Sequence, residues 1–152
     1  GAVTAVELDA RFMPILTKQL APYSNVTLVE GDILQLAQAD LVQQDGYLVV
    51  ANIPYYITSR IIRNLLEAER KPREIILTIQ HEVAERVTAD TGKLNILALS
   101  VLVYGTPRIE LRIPAGAFYP PPQVDSAVIK IDLHADARTS WDFDFSALHP
   151  KR

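Results

Sequence analysis

The sequence contains no cysteine and only six glycines among its 152 residues. Without cysteine, the chain forms no disulfide and offers no thiolate ligand to a metal ion. The three histidines, His81, His134 and His149, are scattered without the spacing of a metal site, so we expect no bound metal. The lack of cysteine also favours a cytoplasmic protein over a secreted one.

The chain also lacks an excess of basic residues and a long apolar run. Fifteen Lys and Arg against 18 Asp and Glu give a net charge of −3, which is not typical of a protein that wraps around nucleic acid. Any contact with RNA is therefore expected to be local. The longest apolar stretch, residues 94–104, is interrupted by Asn95 and Ser100 and is too short to cross a bilayer.

Strand-like and helix-like apolar patterns alternate along the sequence. Strands are predicted at residues 3–8, 26–30, 48–51, 74–79 and 127–133. Helices are predicted over residues 10–20 with Asp9 as the N-cap, from Thr58 or Ser59 through Leu66, and over 81–88, while residues 33–44 are predicted to form a helix or a turn. In the helix that ends at Leu66, the apolar spacing places Ile61, Ile62, Leu65 and Leu66 on the buried face. Residues 96–104 have the composition of a strand and are predicted to pair with 108–113 as a hairpin. The order predicts an α/β fold with a Rossmann-like, mostly parallel sheet that has an antiparallel end.

The most informative segment is Asn52-Ile53-Pro54-Tyr55, which follows the predicted strand at 48–51. Ligands bind at the carboxyl ends of strands in open α/β sheets. The exocyclic amine of adenine is a poor nucleophile because its lone pair is delocalised into the ring. The side-chain oxygen of Asn52 and a backbone carbonyl beside Pro54 can accept its two N–H bonds and orient the lone pair, while Tyr55 stacks on a flipped base. The segment favours an amino-group methyltransferase acting on a base, although Asn and Pro are also common in ordinary turns.

Two carboxylates follow the first two predicted strands. Glu7 is near the end of the first strand, and Asp32 lies just past the end of the second. An acid at such a strand end can accept hydrogen bonds from ribose hydroxyls, and an acid after the next strand can accept one from an exocyclic amine. The alternative is that Asp32 and Asp9 are helix caps and that Glu7 is a solvated charge.

A proline-rich segment, residues 118–126, lies between the last two predicted strands. Its three consecutive prolines restrict the loop. Phe118 can therefore be held as a second aromatic side chain, besides Tyr55, against the flipped base at low entropic cost. A linker between domains is the alternative, although the segment lies between strands of one predicted sheet. Arg86 and Lys93, further back in the chain, are either phosphate contacts or, as we favour, solvated charges.

Five of these segments, in this order and spacing, resemble the ribosomal RNA adenine dimethyltransferases, and among them the KsgA type that modifies small-subunit RNA. The matching segments are residues 3–9, 30–32, 50–59, 80–86 and 116–128. The resemblance covers residues 1–133. It implies a class I methyltransferase sheet and the transfer of methyl groups from S-adenosylmethionine to N6 of adenine in small-subunit ribosomal RNA.

The resemblance also implies roles for individual residues. Glu7 would hold the cofactor ribose and Asp32 the cofactor's adenine amine, with Asn52 beside the cofactor as well. Asn52, Pro54 and Tyr55 would grip the target base, and Phe118 would lie next to it.

Parts of the family pattern are not found in the sequence. The family's glycine-rich cofactor loop and first strand come before the segment matched at Val3, and a small helical domain comes after residue 133. In the family the first strand lies between the strands matched here at 3–8 and 48–51, and whether these two pair directly instead is left open. We expect an incomplete methyltransferase core at 1–133 and a tail at 134–152 that begins a helical domain, together a fragment that is inactive alone.

Two alternatives to this function remain. One is a large-subunit ribosomal RNA adenine methyltransferase of the antibiotic-resistance type, which the segment at 120–126 disfavours. The other is a non-catalytic RNA-binding or ribosome-assembly factor that kept the fold.

Overall fold

The computed structural model describes residues 1–88 and 95–135. Within these ranges the chain forms six strands and five α-helices in a mostly alternating order. Their bounds are β1 Val3–Glu7, α1 Met13–Leu20, β2 Val26–Glu30, α2 Gln38–Leu41, β3 Tyr47–Asn52, α3 Thr58–Glu67, β4 Pro72–Gln80, α4 His81–Val87, α5 Ile96–Tyr104, β5 Gly105–Ile113 and β6 Ser126–Leu133.

The strands form two sheets rather than one. β1 and β2 pair in parallel, with Glu7 opposite Glu30. The other sheet has four strands in the order β3-β4-β6-β5, in which β3 and β4 are parallel and β6 is antiparallel to both of its neighbours. The predicted α/β class, with parallel strands and an antiparallel end, is confirmed. β1 and β3 do not pair with each other, which answers the question left open by the sequence.

The hydrophobic core lies on one face of the four-stranded sheet. Because side chains alternate along a strand, every second residue of β4 and β6 points to this face, and these residues are completely buried: Ile75, Leu77, Ile79, Ile129 and Ile131. Helices α3, α4 and α5 cover them with Ile62, Leu66, Val87 and Val101. In α3 the prediction for Ile61, Ile62 and Leu66 is confirmed, whereas Leu65 is only partly buried. In the described range 1–52 no side chain is fully buried, so the β1–α1–β2 unit contributes little to the core.

The predicted strand at residues 96–104 is wrong, because this segment is helix α5. Apart from Ser100 its residues are all apolar, and such a short run does not distinguish strand from helix. The side-chain oxygen of Asn95 accepts a hydrogen bond from the N–H of Ala98 at 3.0 Å and caps the helix. The predicted hairpin is therefore also wrong: β5 pairs with β6 and begins at Gly105. A Cβ at Gly105 would lie 2.6 Å from the carbonyl oxygen of Asp132, so this pairing requires glycine.

Several helix boundaries differ from the prediction. Helix α1 begins at Met13, and Asp9 does not cap it, because its carboxylate accepts the N–H and the guanidinium of Arg11 instead. Residues 33–44 were predicted to form a helix or a turn, and only the four residues of α2 are helical there. In the described part of the chain, no helix has the length and apolar character needed to span a membrane.

Candidate active site

The segment Asn52-Ile53-Pro54-Tyr55 lies at the carboxyl edge of the four-stranded sheet. β3 ends at Asn52, opposite Thr78 of β4, and the chain then turns through a 3₁₀ turn at Tyr55–Ile57 into α3. Ile53 is buried and fixes the loop to the core, whereas Asn52 and Pro54 are exposed. The Pro54 carbonyl accepts the N–H of Ile57 at 3.2 Å, which leaves its second lone pair available. The loop thus exposes the Asn52 amide and the Pro54 carbonyl to a ligand, while buried Ile53 anchors it to the core.

Tyr55 links this loop to strand β6. Its hydroxyl lies 2.8 Å from the hydroxyl of Ser126, the first residue of β6, and Ser126 is completely buried. Tyr55 itself is half-buried, so the hydrogen bond restricts its ring. The neighbouring Tyr56 is 82% exposed and was not singled out in the sequence, where nothing distinguished it from Tyr55.

The proline-rich segment is a loop between paired strands, so the alternative of a domain linker is wrong. β5 and β6 pair with Ile113 opposite Ser126, and the residues between them close into a loop. Phe118 is half-buried there, and Tyr119 is fully exposed. Since Ser126 contacts Tyr55, the loop ends next to the segment that contains Asn52. The structure therefore brings Asn52, Pro54, Tyr55 and the Phe118 loop to the same edge of the sheet.

Asp125 closes this loop, and the sequence reasoning did not assign it a role. One carboxylate oxygen accepts the N–H of Ala115 at 2.9 Å, and the other accepts the guanidinium of Arg112 at 2.8 Å. These bonds, the backbone bond first, lower the pKa of Asp125. Its carbonyl also accepts the N–H of His81 at 3.0 Å, which ties the loop to the end of β4. An Asp following the prolines was visible in the sequence, but its partners Ala115 and Arg112, ten and thirteen positions back, were not.

Glu7 and Asp32 lie together at the carboxyl edge of the two-stranded sheet. The N–H of Gly31 donates to the carbonyl of Glu7 at 2.9 Å, which joins the two turns. Both side chains are half-buried, and each accepts one nearby backbone N–H, Glu7 from Asp9 at 2.7 Å and Asp32 from Leu34 at 2.9 Å. Asp32 therefore caps a local turn rather than α2. Because an ionised carboxylate has about four acceptor positions, both groups retain capacity for a ligand.

The connection between the two sheets runs through α2. Gln38 donates from its amide nitrogen to the Tyr47 hydroxyl and to the Arg70 carbonyl, both at 2.6 Å. Thr4 of β1 donates to the carbonyl of Leu41 at 2.9 Å. In the described residues, no hydrogen bond joins Glu7 or Asp32 to the residues at the edge of the other sheet. Arg86 is exposed on α4, and Lys93 lies outside the described residues.

Comparison with known proteins agrees with the geometry. A family model described as "Ribosomal RNA adenine dimethylase" matches residues 2–145. Two curated relatives share the name "Ribosomal RNA small subunit methyltransferase A". The one from Dehalococcoides mccartyi (strain CBDB1) is 46% identical over 132 residues, which are 86% of this chain and 45% of that protein. The one from Bacillus pumilus is 36% identical over 149 residues, which are 93% of this chain and 51% of that protein.

Solved structures give a similar result. A dimethyladenosine transferase from Plasmodium falciparum is 26% identical and superimposes with a TM-score of 0.80, over 90% of this chain and 49% of that one. The 23S rRNA methyltransferase ErmE is 28% identical with a TM-score of 0.76, over 88% of this chain and 53% of that one. The chain thus spans about half the length of the curated relatives it matches.

Proposed function

The chain belongs to the ribosomal RNA adenine dimethylase family, and on this premise we propose that the natural protein transfers methyl groups from S-adenosylmethionine to N6 of adenine in small-subunit ribosomal RNA. The observation that carries the proposal is the exposed Asn52 and Pro54 at the carboxyl edge of β3, held by buried Ile53. Both named relatives are small-subunit methyltransferases, which supports this choice of substrate.

Asn52 and the Pro54 carbonyl act on the target amine by positioning it. Each accepts one N–H of the adenine amine, which turns the nitrogen lone pair out of conjugation with the ring. Neither group removes a proton, because an amide and a peptide carbonyl are too weakly basic. Rate enhancement therefore comes from orientation, which can lower a barrier by several kcal/mol.

Aromatic side chains hold the base. Tyr55 cannot rotate freely because its hydroxyl is bonded to Ser126, and Phe118 lies in the loop that Asp125 closes. A flipped base stacks between such rings and recovers part of the few kcal/mol that unstacking costs. The fixed orientation of Tyr55 means that little ring entropy is lost when the base enters.

Glu7 and Asp32 are the residues that we propose for cofactor binding, with Asn52 adjacent. Two half-buried carboxylates with free acceptor positions, at the ends of neighbouring parallel strands, fit the ribose hydroxyls and the adenine amine of S-adenosylmethionine. When bound, the cofactor supplies an electrophilic methyl group.

Calorimetric titration of the natural protein with S-adenosylmethionine tests this assignment. We expect a saturable heat that Glu7→Ala or Asp32→Ala abolishes and that Glu69→Ala, an exposed carboxylate between α3 and β4, leaves unchanged. Unchanged binding in both site variants contradicts the assignment. No binding at all by the protein of natural length favours the non-catalytic alternative.

The similarity to ErmE, a 23S rRNA methyltransferase, keeps the large-subunit alternative as a second candidate. Incubation of the protein with purified small-subunit and large-subunit particles and labelled cofactor separates the two. Label in the small-subunit RNA alone is the expected result.

The division into a methyltransferase core at 1–133 and a tail at 134–152 also remains a proposal. The family match continues past residue 133 to residue 145.

A further inference from the structure

A groove of about 750 Å³ lies between α3 and α5 and reaches the end of α4. Its floor is apolar and includes the buried side chains of Ile62 and Leu66. Three arginines line it, Arg60 and Arg63 from α3 and Arg86 from α4. We call this the arginine groove.

The arginine groove concentrates positive charge in a chain whose net charge is −3. None of the described residues that line it is acidic. Among the described residues, Arg60 and Arg86 have no ion-pair partner, and Arg63 is 3.9 Å from Glu67 in a contact where both side chains are over 60% exposed. Such an exposed ion pair contributes little to stability and does not prevent Arg63 from binding another anion.

Three arginines elsewhere in the described residues differ in this respect. Arg11, Arg108 and Arg112 each form a side-chain ion pair with an aspartate that is close in space. Arg60 and Arg86 are exposed, and neither forms an ion pair within residues 1–88 and 95–135. Three arginines on one groove, of which only Arg63 has an acidic neighbour, in a weak exposed pair, indicate an anionic ligand rather than structural ion pairs.

The position of the groove relates it to the candidate active site. Helix α3 begins at Thr58, three residues after Tyr55, so Arg60 and Arg63 lie in its first two turns. With a rise of about 1.5 Å per residue, Arg63 is only about 7.5 Å along the helix from Thr58. A strand that places a base against Tyr55 therefore reaches the groove within a few nucleotides.

We propose that the arginine groove binds the phosphodiester backbone of the RNA strand that flanks the target base. This inference rests on the proposed function and adds a substrate contact to it. Guanidinium groups bind phosphate oxygens in a bidentate manner. Ser59 and Asn95 on the rim supply further hydrogen-bonding groups, and Ile96, 65% exposed, supplies an apolar contact for a sugar or base. Such a local site allows an acidic chain to hold a polyanion.

The test is binding of a fluorescent single-stranded RNA of about 20 nucleotides, followed by anisotropy at several salt concentrations. Each phosphate contact to single-stranded nucleic acid contributes about 0.7 to the slope of log K against log salt. Replacing all three arginines by alanine should therefore lower the slope by about 2. At 0.1 M salt the same relation gives about a fivefold loss of affinity per arginine, and roughly 100-fold for the triple variant.

Two controls accompany the triple variant. Arg73→Ala removes an exposed arginine at the opposite end of the sheet, near the start of β4, and should leave the slope unchanged. A triple Arg→Lys variant keeps the charge and should keep most of the slope, which separates charge from folding. All three groove arginines are exposed, so the thermal melting of the variants should match that of the wild type.

The outcomes separate this inference from the proposed function. Loss of slope in the triple alanine variant, but not in Arg73→Ala, supports the groove. No RNA binding by the wild type, or equal binding by the triple alanine variant, overturns it, while titration with S-adenosylmethionine still reports on the proposed function. Tighter binding of polyglutamate than of RNA, lost in the triple variant, overturns the choice of RNA as the occupant.

Discussion

The hydrogen bond between Tyr55 and Ser126 is expected to stabilise the loop that carries the candidate active site. Tyr55→Phe keeps the ring and removes only the hydroxyl, which leaves the completely buried hydroxyl of Ser126 without its partner. A buried polar group left unpaired costs about 1–3 kcal/mol. For a chain of this size, that corresponds to a fall in melting temperature of about 2–4 °C for each kcal/mol.

The reverse change should cost less. Ser126→Ala leaves the Tyr55 hydroxyl unpaired, but Tyr55 is half-buried and its hydroxyl can turn towards water. We expect about 0.5–1.5 kcal/mol for this variant. Because the double variant Tyr55→Phe/Ser126→Ala removes both partners, its cost should be smaller than the sum of the single costs by about 1 kcal/mol.

Equilibrium unfolding in urea, followed by circular dichroism, measures all four proteins. Tyr119→Phe is the matched control. The Tyr119 side chain is fully exposed, so the loss of its hydroxyl should change the free energy of unfolding by less than about 0.5 kcal/mol. Strictly additive costs in the double variant, or equal costs for Tyr55→Phe and Tyr119→Phe, would refute the reasoning.

Two further predictions concern the elements around the site. Asn95→Ala should destabilise the protein by about 0.5–2 kcal/mol because it removes the cap of α5. Asn64→Ala, on the exposed face of α3, should leave the stability unchanged. Equal urea unfolding midpoints for the two variants would contradict this prediction. Asp125 has a pKa lowered from 3.8 by the bonds from Ala115 and Arg112, so it stabilises the fold above its unfolded pKa and this contribution disappears as the pH falls through the folded pKa. Asp125→Asn should therefore lose less stability than the wild type between pH 5 and pH 2, and parallel pH curves for the two proteins would contradict this.

The alternation of strands and helices was predictable because each element repeats its apolar residues with a regular period. The strand predicted at 26–30 coincides with β2, and the buried face of α3 follows from the spacing of Ile61, Ile62 and Leu66. Residues 96–104 were mispredicted because Ser100 is their single polar residue, which is too few to define a period. The capping signal was nevertheless present at Asn95, immediately before the helix.

The candidate site was predictable only in part. Asn52, Glu7 and Asp32 could be located because each follows a strand, and strand ends meet at one edge of a sheet. The bond between Tyr55 and Ser126 joins residues 71 positions apart, and no local pattern encodes such a contact. The separation into two sheets was anticipated only in part: the resemblance places a further strand between those at 3–8 and 48–51, but it does not say whether these two pair without it.

The most direct test of the central claim is methyl transfer by the natural protein to small-subunit ribosomal RNA, with the product nucleoside identified by mass spectrometry. We expect N6,N6-dimethyladenosine from the wild type and from Asn25→Ala, a control that removes an exposed amide just before β2. We also expect a loss of rate of about 100-fold or more in Asn52→Ala, because the amine is no longer oriented. Methylation at another atom, or an undiminished rate in Asn52→Ala, would contradict the account.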